Sequence, residues 1–288
     1  MFTAPVLALL LAAAPNDTYT LKWKLNQGDV FYNKSTITTD QTVEVMGQKI
    51  DQTIKMDMVI KFAVKSAKAG ATVVEMTYLD MKVDAAGLPG ANIADKLKDV
   101  TFVATLDDKM AVTKLEGYDK LLDAVGGDDA NLKKMLKAMM PESAVRQTFG
   151  QTFVIAPDKP LAVGDKWDRT DKLGLGPLGT VEAKQQFKLD AVKDGKAEVS
   201  VKGDLTFKAA EGDDGGLPFK ITKADLKAEK FDAAHTFDLK AGRVIQTKVD
   251  MDMAGTMTIG VAGMEVEAKL VQKSRMTGVI TDKNPVVD

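Results

Sequence analysis

The segment VEVMGQKIDQTIKMDMVIKFAVK, residues 43–65, decides the fold. Gly47 is typical of a hairpin turn, and after it apolar side chains occupy the even positions from Ile50 to Val64, except at Gln52. An apolar residue at every second position predicts a half-buried β-strand. The run is about 15 residues long, against the usual 5 to 6, so we expect the strand to curve or bulge.

Further alternating runs predict more strands in the first half of the chain, at 19–25, 71–79, 100–106 and 109–115. Helical spacing replaces alternation after residue 118, where Asp129 is placed as an N-cap and Pro141 as the start of a third short helix. The second half then returns to alternating runs, among them an odd-numbered series from Val249 to Val261. A helical insert therefore separates two β-rich halves.

The two halves contain similar segments. Both NQGDVFYNKS (26–35) and AVGDKWDRTD (162–171) place a Gly-Asp pair before aromatic residues, and residues 62–76 align without gaps with residues 187–201. These similarities predict a duplicated antiparallel meander. The alternative is that any two meanders with glycine turns look alike, because such turns favour a positive φ.

We therefore predict a mainly β protein with a short helical insert, in which two similar antiparallel meanders of long curved strands form a half-barrel or open-barrel structure. The arrangement is either a pair of half-barrels or one large open sheet wrapped on itself. The predicted divisions are a signal peptide at 1–14, an N-terminal β half at 15–116, a helical insert and linker at 117–158, and a C-terminal β half at 159–288.

The beginning of the chain predicts export. Residues 6–14 form an apolar run that ends in three alanines, a pattern typical of a cleaved signal peptide, although no Lys or Arg precedes it. The alternative is a buried N-terminal strand or helix. We expect the mature chain to be periplasmic or extracellular, and no later segment is long and apolar enough for a transmembrane helix.

Three motifs resemble a family of exported, β-rich bacterial proteins that is classed as a domain of unknown function. They are LNQGDVFY (25–32), KPLAVGDKW (159–167) and DLKAGRVIQTKVDM (238–251), and they accompany the apolar N-terminal run. The resemblance implies an exported β fold and brings no activity or functional residues.

The sequence predicts no enzyme, no cofactor and no metal site. The chain has no cysteine and one histidine, His235, whose alternation with Phe237 predicts a structural position on a strand. The acidic loops at 126–131 and 211–216 lack calcium-loop spacing and are predicted to be solvated turns. The 39 basic and 41 acidic residues are interspersed, so nucleic acid and anionic membranes are not expected partners.

A carboxylate-only hydrolase remains an alternative, because paired acidic residues leave no linear motif. The candidates lie on predicted strands, where alternation places most such residues on the solvent face: Asp57, Glu75, Asp168 and Asp250.

Methionine is the unusual component, at 15 residues. Flexible thioether side chains can line an adaptable apolar pocket, or they can fill an irregular core. The candidate wall consists of apolar residues on two long strands: Met56, Met58, Ile60, Phe62, Met251, Met253 and Met257. We therefore expect a non-enzymatic periplasmic protein that binds or carries a lipid-type ligand, the alternative being an envelope structural or protein-interaction module with a fully packed core.

Overall fold

The computed structural model describes residues 17–85, 91–153, 155–210, 220–261 and 264–286. The predicted signal peptide at 1–14, the acidic loop at 211–216 and the turn at Gly263 lie outside the described residues. Thirteen strands are described within these ranges: β1 Thr18–Tyr19, β2 Val30–Val45, β3 Gln48–Lys68, β4 Ala71–Ala85, β5 Thr101–Leu106, β6 Val112–Glu116, β7 Leu161–Ala162, β8 Lys166–Gly174, β9 Gly179–Lys193, β10 Lys196–Ala209, β11 Lys220–Asp238, β12 Arg243–Val261 and β13 Met264–Thr281. The helices are α1 Ala91–Leu97, α2 Tyr118–Gly126, α3 Ala130–Met139 and α4 Glu142–Phe153, with a 3₁₀ turn at Gly176–Leu178.

Eleven of these strands form one antiparallel sheet, in the order β6-β5-β4-β3-β2-β13-β12-β11-β10-β9-β8. The first meander starts at the centre with β2 and runs outward to β6. The helical insert carries the chain to the opposite edge, and the second meander returns from β8 to β13. There β13 pairs with β2 over 14 residue pairs, so the two meanders share a single sheet. The predicted mainly β fold with a short helical insert is confirmed.

The sheet curls around α4. This helix packs against both edge strands, β6 and β8. Val112 of β6 and Arg169 of β8 line one cavity beside α4, although their strands are not neighbours in the sheet. The curl defines an inner face, toward α4, and an outer face.

The long strand predicted from residues 43–65 is longer still, because β3 has 21 residues. Its pairing with β4 shifts register twice, between Val59 and Ile60 and between Val64 and Ser66. These irregularities fit the expectation that so long a strand must curve or bulge. In the helical insert, Asp129 caps α3 as predicted, since its side chain accepts hydrogen bonds from the backbone N–H groups of Asn131 and Leu132.

The packed core occupies one end of the inner face. Its aromatic centre joins the N-terminal segment to the sheet and to α4: the ring centroids of Trp23 and Phe153 are 5.2 Å apart, and those of Phe31 and Phe62 are 5.0 Å apart. The predicted strand at 19–25 is wrong beyond Tyr19, because the rest of the segment belongs to no strand ladder. Its alternating burial is nevertheless present and places Trp23 in the core.

The Gly-Asp turn that begins the first meander is held by its own side chain. The Oδ2 atom of Asp29 accepts a hydrogen bond from the backbone N–H of Asn26 at 2.8 Å. Gly28 adopts a φ of 93° and donates its N–H to the carbonyl of Val64 at 2.9 Å. The turn therefore fixes the start of β2 against β3.

The second Gly-Asp turn has the same hydrogen bonds. The Oδ2 atom of Asp165 accepts from the N–H of Ala162 at 2.9 Å, and Gly164, at a φ of 96°, donates to the carbonyl of Leu189 at 2.7 Å. Leu189 is the residue that the gapless alignment pairs with Val64. The two turns are thus equivalent in structure, and the duplication of the whole meander stays a prediction.

Candidate functional site: an apolar trough and a polar cavity

Beyond the packed core, the inner face of the sheet forms an apolar trough. Along β13 the exposure of the side chains alternates, with exposed residues on the outer face and half-buried or buried residues on the inner face. The register of the neighbouring strands continues this face across the sheet. The half-buried apolar side chains that line the trough are Ile37, Val43, Ile54, Met56, Met58, Phe231, Val249, Met251, Met253, Met257, Ile259, Leu270 and Met276.

The structure divides the predicted wall into two groups. The five methionines, Met56, Met58, Met251, Met253 and Met257, lie in the trough and are half-buried, and Met58 also packs against the edge of the core. Ile60 and Phe62 lie on the same face but inside the packed core, with exposed fractions of 7% and 2%. They are covered because the N-terminal segment and α4 pack over this end of the sheet, so they do not line the trough.

A polar strip crosses the floor of the trough on β3, β2 and β13. Gln41 donates from Nε2 to Oε1 of Gln52 at 2.8 Å. Gln272 donates from Nε2 to Oγ of Ser274 at 3.1 Å, and that hydroxyl is also 3.1 Å from Oγ1 of Thr39. These side chains bond to one another. The only sequence signal for the strip was Gln52, which interrupts the apolar series of the opening segment.

A second feature lies between the inner face and α4, as a cavity of about 390 Å³. This volume is within the range of small-molecule sites, about 300–1,000 Å³. The polar residues that line it come from distant parts of the chain and include Trp23, Asn33, Gln151, Arg169, His235 and Thr247. Met276 also lines it and belongs to the trough, so the two features adjoin. Among the described residues of its lining, none is a carboxylate.

Arg169 is held in a fixed orientation on β8. Its Nε donates to Oδ2 of Asp171 at 2.7 Å, and its Nη2 donates to Oε1 of Gln185 at 3.1 Å. The guanidinium carbon lies 5.0 Å from the ring centroid of Phe187. The charge is therefore positioned at the cavity by an ion pair, a hydrogen bond and an aromatic ring.

His235 lies on β11 in the cavity wall. Its Nδ1 is 3.1 Å from Oγ1 of Thr247. Burial, and then the positive charge of Arg169, lower the pKa of His235 from 6.5 to about 4. The imidazole is therefore neutral at pH 7. Sequence alternation with Phe237 predicted a sheet position for His235 but did not indicate a cavity.

Trp23 contributes a hydrogen-bond donor to this region. The side chain is 3% exposed, and its indole Nε1 has no acceptor within the described part of the chain. A buried donor without an acceptor lowers the stability of the fold by about 1–3 kcal/mol, so an unpaired indole N–H at this position needs a physical explanation.

The four carboxylates considered for hydrolysis lie on the outer face of four different strands. Asp57 accepts a hydrogen bond from Thr36, which is the main cause of its lowered pKa. Glu75 and Asp250 form ion pairs with basic residues of their own, and Asp168 accepts from a glutamine. They therefore do not face one another across a cleft. Over the described ranges, no group of three metal-ligating side chains is present.

Residues 51–262 match the model of DUF6263, a family of unknown function. The chain belongs to this family. No curated protein matches the chain. Among the described residues, no helix combines the length and the apolar character that crossing a membrane requires.

Three solved structures are similar to the chain at low identity. A lipovitellin structure, titled for its lipid–protein interactions, is 9% identical with a TM-score of 0.48, and the match covers 92% of this chain and 26% of that one. This chain thus spans about a quarter of the lipovitellin chain. DynF of Micromonospora chersina is 11% identical with a TM-score of 0.23, covering 96% of this chain and 92% of that one. The outer membrane protein OprG of Pseudomonas aeruginosa is 7% identical with a TM-score of 0.23, covering 89% and 97%.

Proposed function

We propose that this member of DUF6263 is a non-enzymatic, exported protein that binds a lipid-type apolar ligand in the trough. The observation that carries the proposal is the half-buried state of the trough side chains. Three of them, Met58, Phe231 and Val249, pack against the core, whereas the other trough side chains are not part of the core or its border. A long apolar surface of this kind is typical of a ligand or partner site.

The chemistry of the lining supports an acyl chain as the occupant. The five methionines of the trough have unbranched, polarizable side chains, which adapt their shape to flexible hydrocarbon. Thioether and hydrocarbon groups supply no general acid or base, so this apolar lining favours binding over catalysis. Periplasmic or extracellular location is part of the same proposal and rests on the apolar run at residues 6–14.

The alternative, a structural or interaction module, requires a fully packed core, with the inner face of the sheet covered along its whole length. The contrast along β3 favours the ligand proposal: Phe62 is 2% exposed, whereas Met56 and Met58 on the same face are half-buried. The strand therefore passes from a closed core, through Met58 at its edge, to Met56 outside it.

The test is binding of the fluorescent apolar probe 1-N-phenylnaphthylamine, together with lipid extraction and native mass spectrometry of the gently purified protein. We expect Met253→Asp and Met56→Asp to weaken probe binding at least tenfold, because each places a carboxylate against hydrocarbon. Thr277→Asp is the matched control. It introduces the same charge on the outer face, where Thr277 is exposed and pairs with Lys248.

Thermal unfolding of each variant shows whether the fold is kept. Equal probe affinity in the wild-type protein, Met253→Asp and Thr277→Asp would refute binding in the trough. A protein that neither binds the probe nor carries any extractable lipid would refute the proposed function as a whole.

A further inference from the structure

The cavity beside α4 is lined in part by polar side chains that come from several strands and from α4. Arg169 brings a guanidinium to its wall, which is ion-paired with Asp171 beside the cavity, and none of the described lining residues is a carboxylate. Trp23 adds an indole N–H that has no acceptor among the described residues. A site with these properties is complementary to an oxygen atom that accepts hydrogen bonds.

We infer that this cavity binds the oxygen-bearing end group of the ligand, a carboxylate or an ester carbonyl, while the hydrocarbon chain lies in the trough. The inference rests on the proposed function, since it assigns the polar end of the same ligand. Met276 lies where the two features meet: it lines the cavity and neighbours Val249 and Ile37 of the trough. An amphipathic molecule can therefore reach from one feature into the other without leaving the inner face.

The polar strip on the trough floor is a weaker candidate for the end group. Its side chains are bonded to one another, as in the pair of Gln41 and Gln52 at 2.8 Å. A ligand oxygen would have to break these bonds to be bound there. In the cavity, by contrast, the indole N–H of Trp23 has no acceptor among the described residues, so a ligand oxygen that bonded to it would break no existing hydrogen bond.

The neutral His235 is compatible with both forms of the end group. One nitrogen of its ring contacts Thr247, and the other is a donor or an acceptor according to the tautomer. The carboxylate and the ester differ in how they use Arg169. A carboxylate would share the guanidinium with Asp171 in a charge-assisted interaction, whereas an ester carbonyl would gain only a hydrogen bond.

The test compares three competitors of 1-N-phenylnaphthylamine that share an 18-carbon chain: oleate, methyl oleate and 1-octadecene. We expect the wild-type protein to bind at least one of the oxygen-bearing compounds at least tenfold more tightly than 1-octadecene. A preference for both identifies the carbonyl oxygen as the recognised group, and a preference for oleate alone identifies the carboxylate.

Variants locate the preference. Trp23→Phe removes the free donor, and the double variant His235→Phe with Thr247→Val removes two groups that contact each other, so neither is left alone. We expect each to reduce the preference at least threefold and to leave 1-octadecene binding nearly unchanged. Thr236→Val is the control, because Thr236 follows His235 on the opposite face of β11, and Gln272→Leu tests the polar strip.

The outcomes separate this inference from the proposed function. Equal affinity for the three competitors, a preference that survives both cavity variants, or a preference lost in Gln272→Leu instead would overturn the cavity assignment while leaving the trough occupied. Failure of all three compounds to displace the probe would overturn the trough as well. Thermal unfolding again identifies any variant that has lost its fold.

Discussion

Acidification is expected to destabilise the protein through His235. The pKa of this histidine is about 4 in the folded protein, because of burial and then the charge of Arg169, and about 6.5 in an unfolded chain. Between these values the unfolded chain binds more protons than the folded one. The contribution of His235 to stability is therefore complete above pH 6.5 and is lost as the pH falls toward 4. The two pKa values correspond to about 3 kcal/mol in the free energy of unfolding.

The assay is urea unfolding of the wild-type protein and of His235→Phe at several pH values between 7 and 4. Other groups also titrate in the acid range, since the pKa values of Asp57 and Asp190 are lowered in the folded protein. Those carboxylates are present in both proteins, so the difference between the two curves isolates His235. We expect the wild-type protein to lose about 2–3 kcal/mol more than the variant over this interval. Parallel curves would show that the imidazole is solvated or already charged in the folded state, which would refute the buried neutral assignment.

Two further predictions concern a glycine in a strand and the side chains of the two Gly-Asp turns. Gly255 of β12 has a φ of 152°, and a Cβ atom there would overlap the carbonyl oxygen of Asp225. We therefore expect Gly255→Ala to lower the free energy of unfolding by at least about 2 kcal/mol, as measured by thermal unfolding. Gly260→Ala on the same strand is the control and should cost less than about 1 kcal/mol, because the nearest atom to its Cβ is 3.6 Å away; equal losses would contradict the reasoning. Replacing Asp29 by Ala should cost about 1 kcal/mol by removing the side-chain acceptor of its turn, and Asp165→Ala should cost a similar amount in the equivalent turn. The corresponding Asn variants keep an acceptor and should lie close to wild type in urea unfolding, and Asn variants as unstable as the Ala variants would argue against this role.

Period-2 alternation predicted the strands well where hydrogen-bonded partners exist on both sides, as for β3. It failed at residues 20–25, where Trp23 is buried in the core but the backbone belongs to no ladder. Alternating burial and strand pairing are separate properties, and the sequence pattern reports only the first. Helix α1 was missed because its seven residues make about two turns, which is too short for a helical period to stand out.

The candidate site was predictable only in part, for a similar reason. Alternation placed the trough methionines and Phe62 on one face, but it could not show that full burial ends between Ile60 and Met58. That boundary depends on where the N-terminal segment and α4 pack, which is long-range information. The cavity depends even more on long-range information. Asn33, Arg169 and His235 come together only through the order of the strands in the curled sheet.

The strands beyond the core bear most directly on function. An extended strand loses conformational entropy for every ordered residue, and burial in a core is the usual compensation. The distal half of β12, residues 251–261, lies outside the packed core. Its inner positions from Met251 to Val261 are nevertheless apolar side chains, except for Gly255. Polar residues at these positions would make the free protein more soluble and less prone to associate. Their absence from this series is consistent with an inner face that is completed by a bound hydrocarbon, and ligand binding should therefore raise the stability of the distal strands more than that of the core. Hydrogen exchange with and without oleate would measure this: slowed exchange confined to the core strands near Phe62 would contradict it, and slowed exchange along distal β12 and β13 is the expected result.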